Sequence, residues 1–276
     1  GVLAAVGRAA VDVYRRPRVA VISTGDEIVP PGEVRPPGTV YDSNLAILSA
    51  TVEELGAEPV PLGIVRDDED ELRRRLAEGL QCDAVILSGG TSKGAGDLSY
   101  RVVRELRNPG IVAHGVALKP GKPICLAAAD GKPVVILPGF PTSAIFTFHE
   151  FVAPVIRAMA GRSEEARELL EARLPIRVNS ERGRTEYLLV NLVHARDGLA
   201  AYPMGKGSGS VTTFSGADGF VTIPAQTEIV DVGTEVNVRL LSRKLEPADL
   251  VCIGSHCVGL DLLLGELQKA GYWTKA

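Results

Sequence analysis

Leu87-Ser-Gly-Gly-Thr-Ser-Lys-Gly-Ala-Gly-Asp-Leu-Ser-Tyr100 continues the apolar run Asp83-Ala-Val-Ile-Leu-Ser88, which is short and β-branched enough to read as a buried strand. Gly89, Gly90, Gly94 and Gly96 allow positive φ and let the backbone approach a ligand without a Cβ in the way. After Asp97 the apolar positions Leu98, Val102, Val103 and Leu106 take a helical period. Strand, glycine loop and helix in that order are what a phosphate site uses, with free amides and a helix N-terminus aimed at an anion. Lys93 adds a cation and Asp97 a carboxylate, so the loop has the parts to hold an anion and a metal together. A tight βα turn with no ligand is the plainer alternative.

Upstream, Arg18-Val-Ala-Val-Ile-Ser23 reads as a first strand, followed by Thr24-Gly-Asp-Glu27 and a proline-rich loop. Asp42-Ser-Asn44 caps a helix with Leu45, Leu48, Val52 and Leu55 on one face and Gly56 as its stop. Pro59–Val65 is a second strand, ending in Arg66-Asp-Asp68, and a charged helix from Glu69 to Leu80 leads back to the strand at Asp83. The order βαβαβα predicts a mostly parallel sheet with helices on both faces. In such a sheet the loops after the strands emerge at one edge, so Thr24–Glu27, Arg66–Asp68 and Gly89–Asp97 should converge there.

Downstream, Ile111–Leu118 reads as one further strand. It is followed by Lys119-Pro-Gly-Lys-Pro123, whose two lysines suit either an anion or solvent. Ile124–Ala128 and Pro133–Leu137 flank Ala-Asp-Gly-Lys as a hairpin. Pro138-Gly-Phe-Pro-Thr-Ser143 opens a helix carrying Ile145, Phe146, Phe148, Phe151 and Val152, a core stripe, with Thr142 and Ser143 as capping residues. From Arg173 the pattern changes to alternation: Leu174–Val178, Thr185–Leu192, Leu199–Pro203, Gly219–Pro224 and Thr234–Leu241 predict a small all-β, barrel-like domain. The end of the chain returns to α/β character, with a strand at Leu250 and a helix from Leu260 to Gly271. Cys252, His256 and Cys257 lack a fourth ligand for a metal.

The 276 residues are 45% hydrophobic with a net charge of −4, so no basic field points to nucleic acid and no apolar run is long enough to span a membrane. Four cysteines at no framework spacing fit a reducing, cytoplasmic setting. The chain opens on Gly in mid-pattern, as a fragment would. The expected organisation is a stub or linker at 1–16, an α/β domain at 17–162, a β-barrel at 171–242 and the start of a further α/β domain at 247–276.

Six segments together resemble the MoeA family of molybdenum cofactor biosynthesis, which includes the E domain of gephyrin. They are Ser23-Thr-Gly-Asp-Glu27, Asp42-Ser-Asn44, Arg66-Asp-Asp68, Ser88–Asp97, Lys119–Pro123 and Leu137-Pro-Gly-Phe-Pro-Thr-Ser143, in the family's order. The resemblance implies a three-layer α/β/α molybdopterin-binding domain followed by a small β-barrel. It also implies an enzyme that inserts molybdenum from molybdate into adenylylated molybdopterin, releasing AMP, with Mg²⁺ or a similar divalent ion. Carried over by position, the catalytic residues are Glu27, Asp67, Asp68, Asp97 and Lys119, with Asp97 and Glu27 as metal ligands. Substrate contacts fall on Thr24, Gly25, Gly89, Gly90, Thr91, Ser92, Lys93, Gly94, Lys122, Pro138, Gly139 and Ser208. Some members carry a basic residue where this chain has Gly115; here His114 stands one position earlier. The family implies a homodimer, further N-terminal domains and a molybdopterin adenylyltransferase as partner, and the tail from Pro247 resembles the start of a periplasmic-binding-protein-like domain. Two rivals share the fold: the adenylyltransferase itself, against which Gly90-Thr-Ser-Lys-Gly argues, and a scaffold without turnover.

Overall fold

A computed structural model describes the chain apart from residues 90–97, 164–168, 196, 206–210, 242–244, 246, 247, 253, 255, 256 and 276. Two compact units emerge, residues 1–116 with 123–165 and residues 117–122 with 166–276.

In the first unit β1 (Arg18–Thr24), α1 (Ser43–Glu54), β2 (Glu58–Val65), α2 (Glu69–Gly79), β3 (Ala84–Ser88) and α3 (Leu98–Val103) follow one another as the pattern predicts. Next come β4 (Pro109–His114), β5 (Leu118–Lys119, in the second unit), β6 (Cys125–Ala129) and β7 (Lys132–Leu137). The sheet order is β2-β1-β3-β7-β6-β4. The first four strands are parallel, and β6 and β4 extend the edge antiparallel. Strands buried on both faces need continuous apolar runs, and β1 and β3 supply them. Along β1 the side chains alternate between layers: Val19 and Val21 pack with Leu48 and Val52 of α1, and Ala20 and Ile22 with Leu72 and Leu76 of α2. Three layers, α/β/α, result. Because β1 crosses over to β2 on one side while β3 leads on to β7 on the other, the connections diverge between β1 and β3. That divergence leaves a crevice outside the carboxyl ends of these strands.

Local chemistry sets the element ends. Asp42 Oδ1 accepts the Leu45 amide at 3.0 Å to cap α1, and Gly56, at φ +87°, ends it. The β6–β7 hairpin turns through Asp130 and Gly131, both at positive φ, as a two-residue turn with this twist requires.

Two local expectations are corrected in this stretch. Ile111–Leu118 is not one strand: β4 stops at His114, Gly115 turns at φ +82°, and Leu118–Lys119 pairs in the other unit. The helix after Pro138 starts at Pro141 with Phe140 as its cap, so Thr142 and Ser143 lie inside it; proline fits a first-turn position because no amide is needed there. That helix, α4 (Pro141–Thr147), also passes through a π-turn at Phe148–Val152 before α5 (Ala153–Met159). Pro154, with no amide to donate, sits just beyond the π-turn.

The second unit is a closed five-stranded barrel. Its strands are β8 (Leu169–Arg173), β9 (Thr185–Ala195), β10 (Gly198–Pro203), β11 (Gly219–Ile223) and β12 (Glu235–Leu240), in the order β10-β8-β12-β11-β9 with β9 pairing back to β10. The first barrel strand lies at Leu169–Arg173 and not at Leu174–Val178, since Leu170 and Ala172 are its inward residues within a charged stretch. β5 adds to β9 with Lys119 opposite Glu186. The tail forms β13 (Leu250–Val251), α6 (Val258–Lys269) and β14 (Thr274–Lys275), the two strands parallel. His256 lies outside the described residues. Among those described, no three His, Cys, Asp or Glu side chains group to hold a metal, and no helix is long and apolar enough to cross a membrane.

Phe148 is the largest fully buried side chain, packed in the layer shared by α1 and β1. Phe148→Ala should lower stability by about 3–5 kcal/mol, read from urea denaturation; a change below 1 kcal/mol would contradict the packing.

Candidate active site

Parallel register brings the strand ends into one row. Thr24 stands opposite Val65, Ser23 opposite Ser88, and Ser88 opposite Leu137. The loops after β1, β2, β3 and β7 therefore leave the sheet together, at the divergence point described above.

Their contacts are close. The Gly25 amide donates to Val65 O at 3.1 Å, and the Gly89 amide to Leu137 O at 3.1 Å. Gly25 has φ +144°, and a Cβ there would stand 2.7 Å from the Glu27 carboxylate, which folds back over it. Gly89 has φ +114°, and a Cβ would stand 2.4 Å from Thr24 O. At Gly89 only glycine permits the approach to backbone, while at Gly25 the Glu27 side chain could swing away and it is the positive φ that favours glycine. Thr24 is buried, its hydroxyl 3.4 Å from Ser99 Oγ at the start of α3.

The loop after β1 also binds the loop after β2: Asp26 Oδ1 accepts the Asp67 amide at 3.1 Å, and Asp26 O accepts from the Arg66 guanidinium at 3.4 Å. Asp67 is thereby held near two other carboxylates. Partial burial pushes its carboxyl above the ordinary aspartate value, and the charges of Asp26 and Glu27 push it further. Asp68 points to another task, accepting the Glu71 amide at 2.8 Å as the cap of α2.

Of the expected site residues, Thr24, Gly25, Glu27, Asp67, Gly89, Pro138 and Gly139 belong to these four converging loops. Gly90, Thr91, Ser92, Lys93, Gly94, Asp97 and Ser208 lie outside the described residues. Lys119 and Lys122 belong to the second unit. There Lys119 Nζ lies 3.4 Å from Glu181 and 3.5 Å from Glu186, and Lys122 is exposed. Glu186 is buried and also accepts the Ser180 hydroxyl at 2.6 Å. Three residues of this chemistry were missed in the sequence. Asp26 lay beside Glu27 in a quoted segment, Glu186 was hidden in an alternating strand, and Asn44 was read only as part of a helix cap.

Residues 20–158 match the family described as a probable molybdopterin binding domain, and residues 171–241 match the MoeA C-terminal region, domain IV. A molybdopterin molybdenumtransferase of a Nostoc species is 34% identical over 86% of this chain and 56% of its own length. Molybdopterin molybdenumtransferase 2 of Mycobacterium tuberculosis is 32% identical over 86% of this chain and 60% of its own. The crystal structure of a molybdopterin biosynthesis MoeA protein from Pyrococcus horikosii superposes with a TM-score of 0.74 at 42% identity, covering 87% of this chain and 58% of that one. The chain thus spans between half and two thirds of the length of these three relatives.

The raised Asp67 value carries a stability consequence. Between the unfolded and folded values the native state binds more protons, so this group's contribution to stability falls as pH rises through that interval. Asp67→Asn should melt about 1–3 °C above wild type at pH 7, and together with it at about pH 3, where both states are protonated. An equal gap at both pH values in thermal melts would refute the crowding of Asp67 by Asp26 and Glu27.

Proposed function

Because the chain belongs to the MoeA family, we propose that it carries the catalytic region of a molybdopterin molybdenumtransferase, which transfers molybdenum from molybdate to adenylylated molybdopterin with release of AMP. The observation that carries this reading is the meeting of the Thr24–Glu27, Arg66–Asp68, Gly89 and Pro138–Gly139 loops at one sheet edge. Such an edge, at the divergence of the strand connections and with glycine backbone packed closely at Gly89, suits a ligand lying across the strand ends.

In this reading Thr24, Gly25, Gly89, Gly90, Thr91, Ser92, Lys93, Gly94, Pro138 and Gly139 cradle the nucleotide-linked pterin. Lys119, Lys122 and Ser208 hold anionic groups, the lysines as charges and the serine as a hydrogen-bond donor. Glu27 and Asp97 would hold Mg²⁺, which would supply charge neutralisation at the phosphoanhydride. Carboxylate oxygens are the ligands a hard divalent cation prefers, and Asp67, partly buried with Asp26 and Glu27 nearby, has its carboxyl pushed above the ordinary aspartate value. The protein's own part is placement: it fixes the phosphates and aligns charge before bond cleavage, and no covalent protein intermediate is involved.

The protein works as a homodimer in the cytoplasm, supplied by a molybdopterin adenylyltransferase. The compartment is supported by cysteines that are all free. Residues 17–162 and 171–242 act as its two domains.

AMP release from adenylylated molybdopterin in the presence of molybdate tests the reading. Asp97→Asn should lower turnover by about 10²–10³-fold without loss of fold by circular dichroism. Unchanged turnover would remove Asp97 from the site. Adenylylation of molybdopterin from Mg-ATP by the wild-type protein would replace the reading with that of the sibling enzyme, and background AMP release would leave a binding module.

Lys119→Ala should raise KM for molybdate about tenfold with a smaller change in kcat, as loss of a charge used in binding does. A KM equal to that of wild type would assign Lys119 to barrel structure alone.

A further inference from the structure

Asn44 stands in the first turn of α1, yet neither end of its carboxamide serves the helix, whose cap is Asp42. Instead Nδ2 donates to Ser88 Oγ and to Gly139 O, each at 2.8 Å. Ser88 ends β3 and precedes Gly89, while Gly139 lies in the loop that leaves β7. A backbone carbonyl only accepts, so the end facing Gly139 is the nitrogen and the amide has one possible orientation. Asn44 is 8% exposed, and its other end, Oδ1, is buried with no hydrogen-bond partner among the described residues. A side chain that leaves its acceptor buried and unpaired, while its donors bridge two strand ends, is held there by what the donors do.

The two loops it joins are close enough for small shifts to matter. The Gly89 amide is bonded to Leu137 O, and a Cβ on Gly139 would stand 3.5 Å from the Gly89 Cα. We infer that Asn44 is a positioning residue: its single buried carboxamide clasps the Gly89 and Gly139 loops at the separation the anionic substrate needs. This rests on the reading above that these loops hold adenylylated molybdopterin.

Asn44→Asp has the same shape and loses the donor. At pH 8 the introduced carboxylate faces Gly139 O, and the clasp opens. Burial raises a carboxyl's proton affinity, so at about pH 5.5 the introduced group is protonated and its O–H again donates. Asn44→Ala has no donor at either pH. Asp42, the nearby titratable group in the same turn, is present in every protein compared and cancels between the two variants.

The readouts are affinity for adenylylated molybdopterin and hydrogen exchange at the Gly89 amide. Asn44→Asp should bind about tenfold more weakly than wild type at pH 8 and recover most of that at pH 5.5, with Gly89 protection following the same course. Asn44→Ala should stay weak and unprotected at both. Ser88→Ala, which removes one acceptor and leaves Gly139, should lose about threefold and covers the case in which Asn44→Asp fails to fold. Wild-type affinity in both Asn44 variants, or losses that follow melting temperature without recovery at low pH, would overturn the positioning role. If the wild-type protein does not bind adenylylated molybdopterin at all, the reading of the site falls and the substrate part of the inference with it. Low-pH recovery of Gly89 protection would then support only the clasp.

Discussion

Thr24 stands opposite Val65, and Ser88 stands between Ser23 on one side and Leu137 on the other, so four parallel strands finish in one row. That register has no freedom to slip. A shift of one residue along β1 would turn Val19 and Val21 toward the layer of Leu72 and Leu76, and Ala20 and Ile22 toward that of Leu48 and Val52. Both layers are packed, so both would resist. The placement of the loops is therefore a consequence of core packing some distance below them.

What happens at the row's end follows from crowding. Four loops leave side by side, and at Gly89 backbone meets backbone with no space for a Cβ. The same crowding partly buries Asp67 and sets it near Asp26 and Glu27, and burial first, then the two charges, make it hold its proton more tightly. Tight backbone approach and gathered negative charge are two results of one geometry.

Much of this was legible in the residues. Continuous β-branched runs marked β1 and β3 as strands buried on both faces, and the glycines after β3 marked the loop. Given alternating strands and helices, the convergence of loops followed from topology. What could not be read depended on partners distant in sequence. Leu118–Lys119 looks like the continuation of β4, and only pairing with Thr185–Glu186 assigns it to the barrel. Leu170 and Ala172 are too few apolar residues to announce a strand, which exists because β12 lies alongside. Asn44 looks like a helix-start residue because local sequence cannot reveal that its donors reach Ser88 and Gly139, 44 and 95 positions away.

The placement of Lys119 obeys a different necessity. Glu186 shares a face of β9 with Leu188, Val190 and Leu192, residues of the barrel core, and is itself only 3% exposed. A carboxylate taken out of water there is tolerable only if charge or hydrogen bonds replace the solvent. The Ser180 hydroxyl at 2.6 Å supplies one such bond, and Lys119 at 3.5 Å supplies opposite charge. The lysine sits on β5, whose register sets Lys119 directly beside Glu186. The chain passes from the first unit to the second at residue 117 and back at 123. A six-residue excursion of that kind would be an expensive way to make a turn. It becomes intelligible if the barrel needs a cation at the end of β9 and the lysine needs a fixed place, since the same pairing of Lys119 with Glu186 meets both demands.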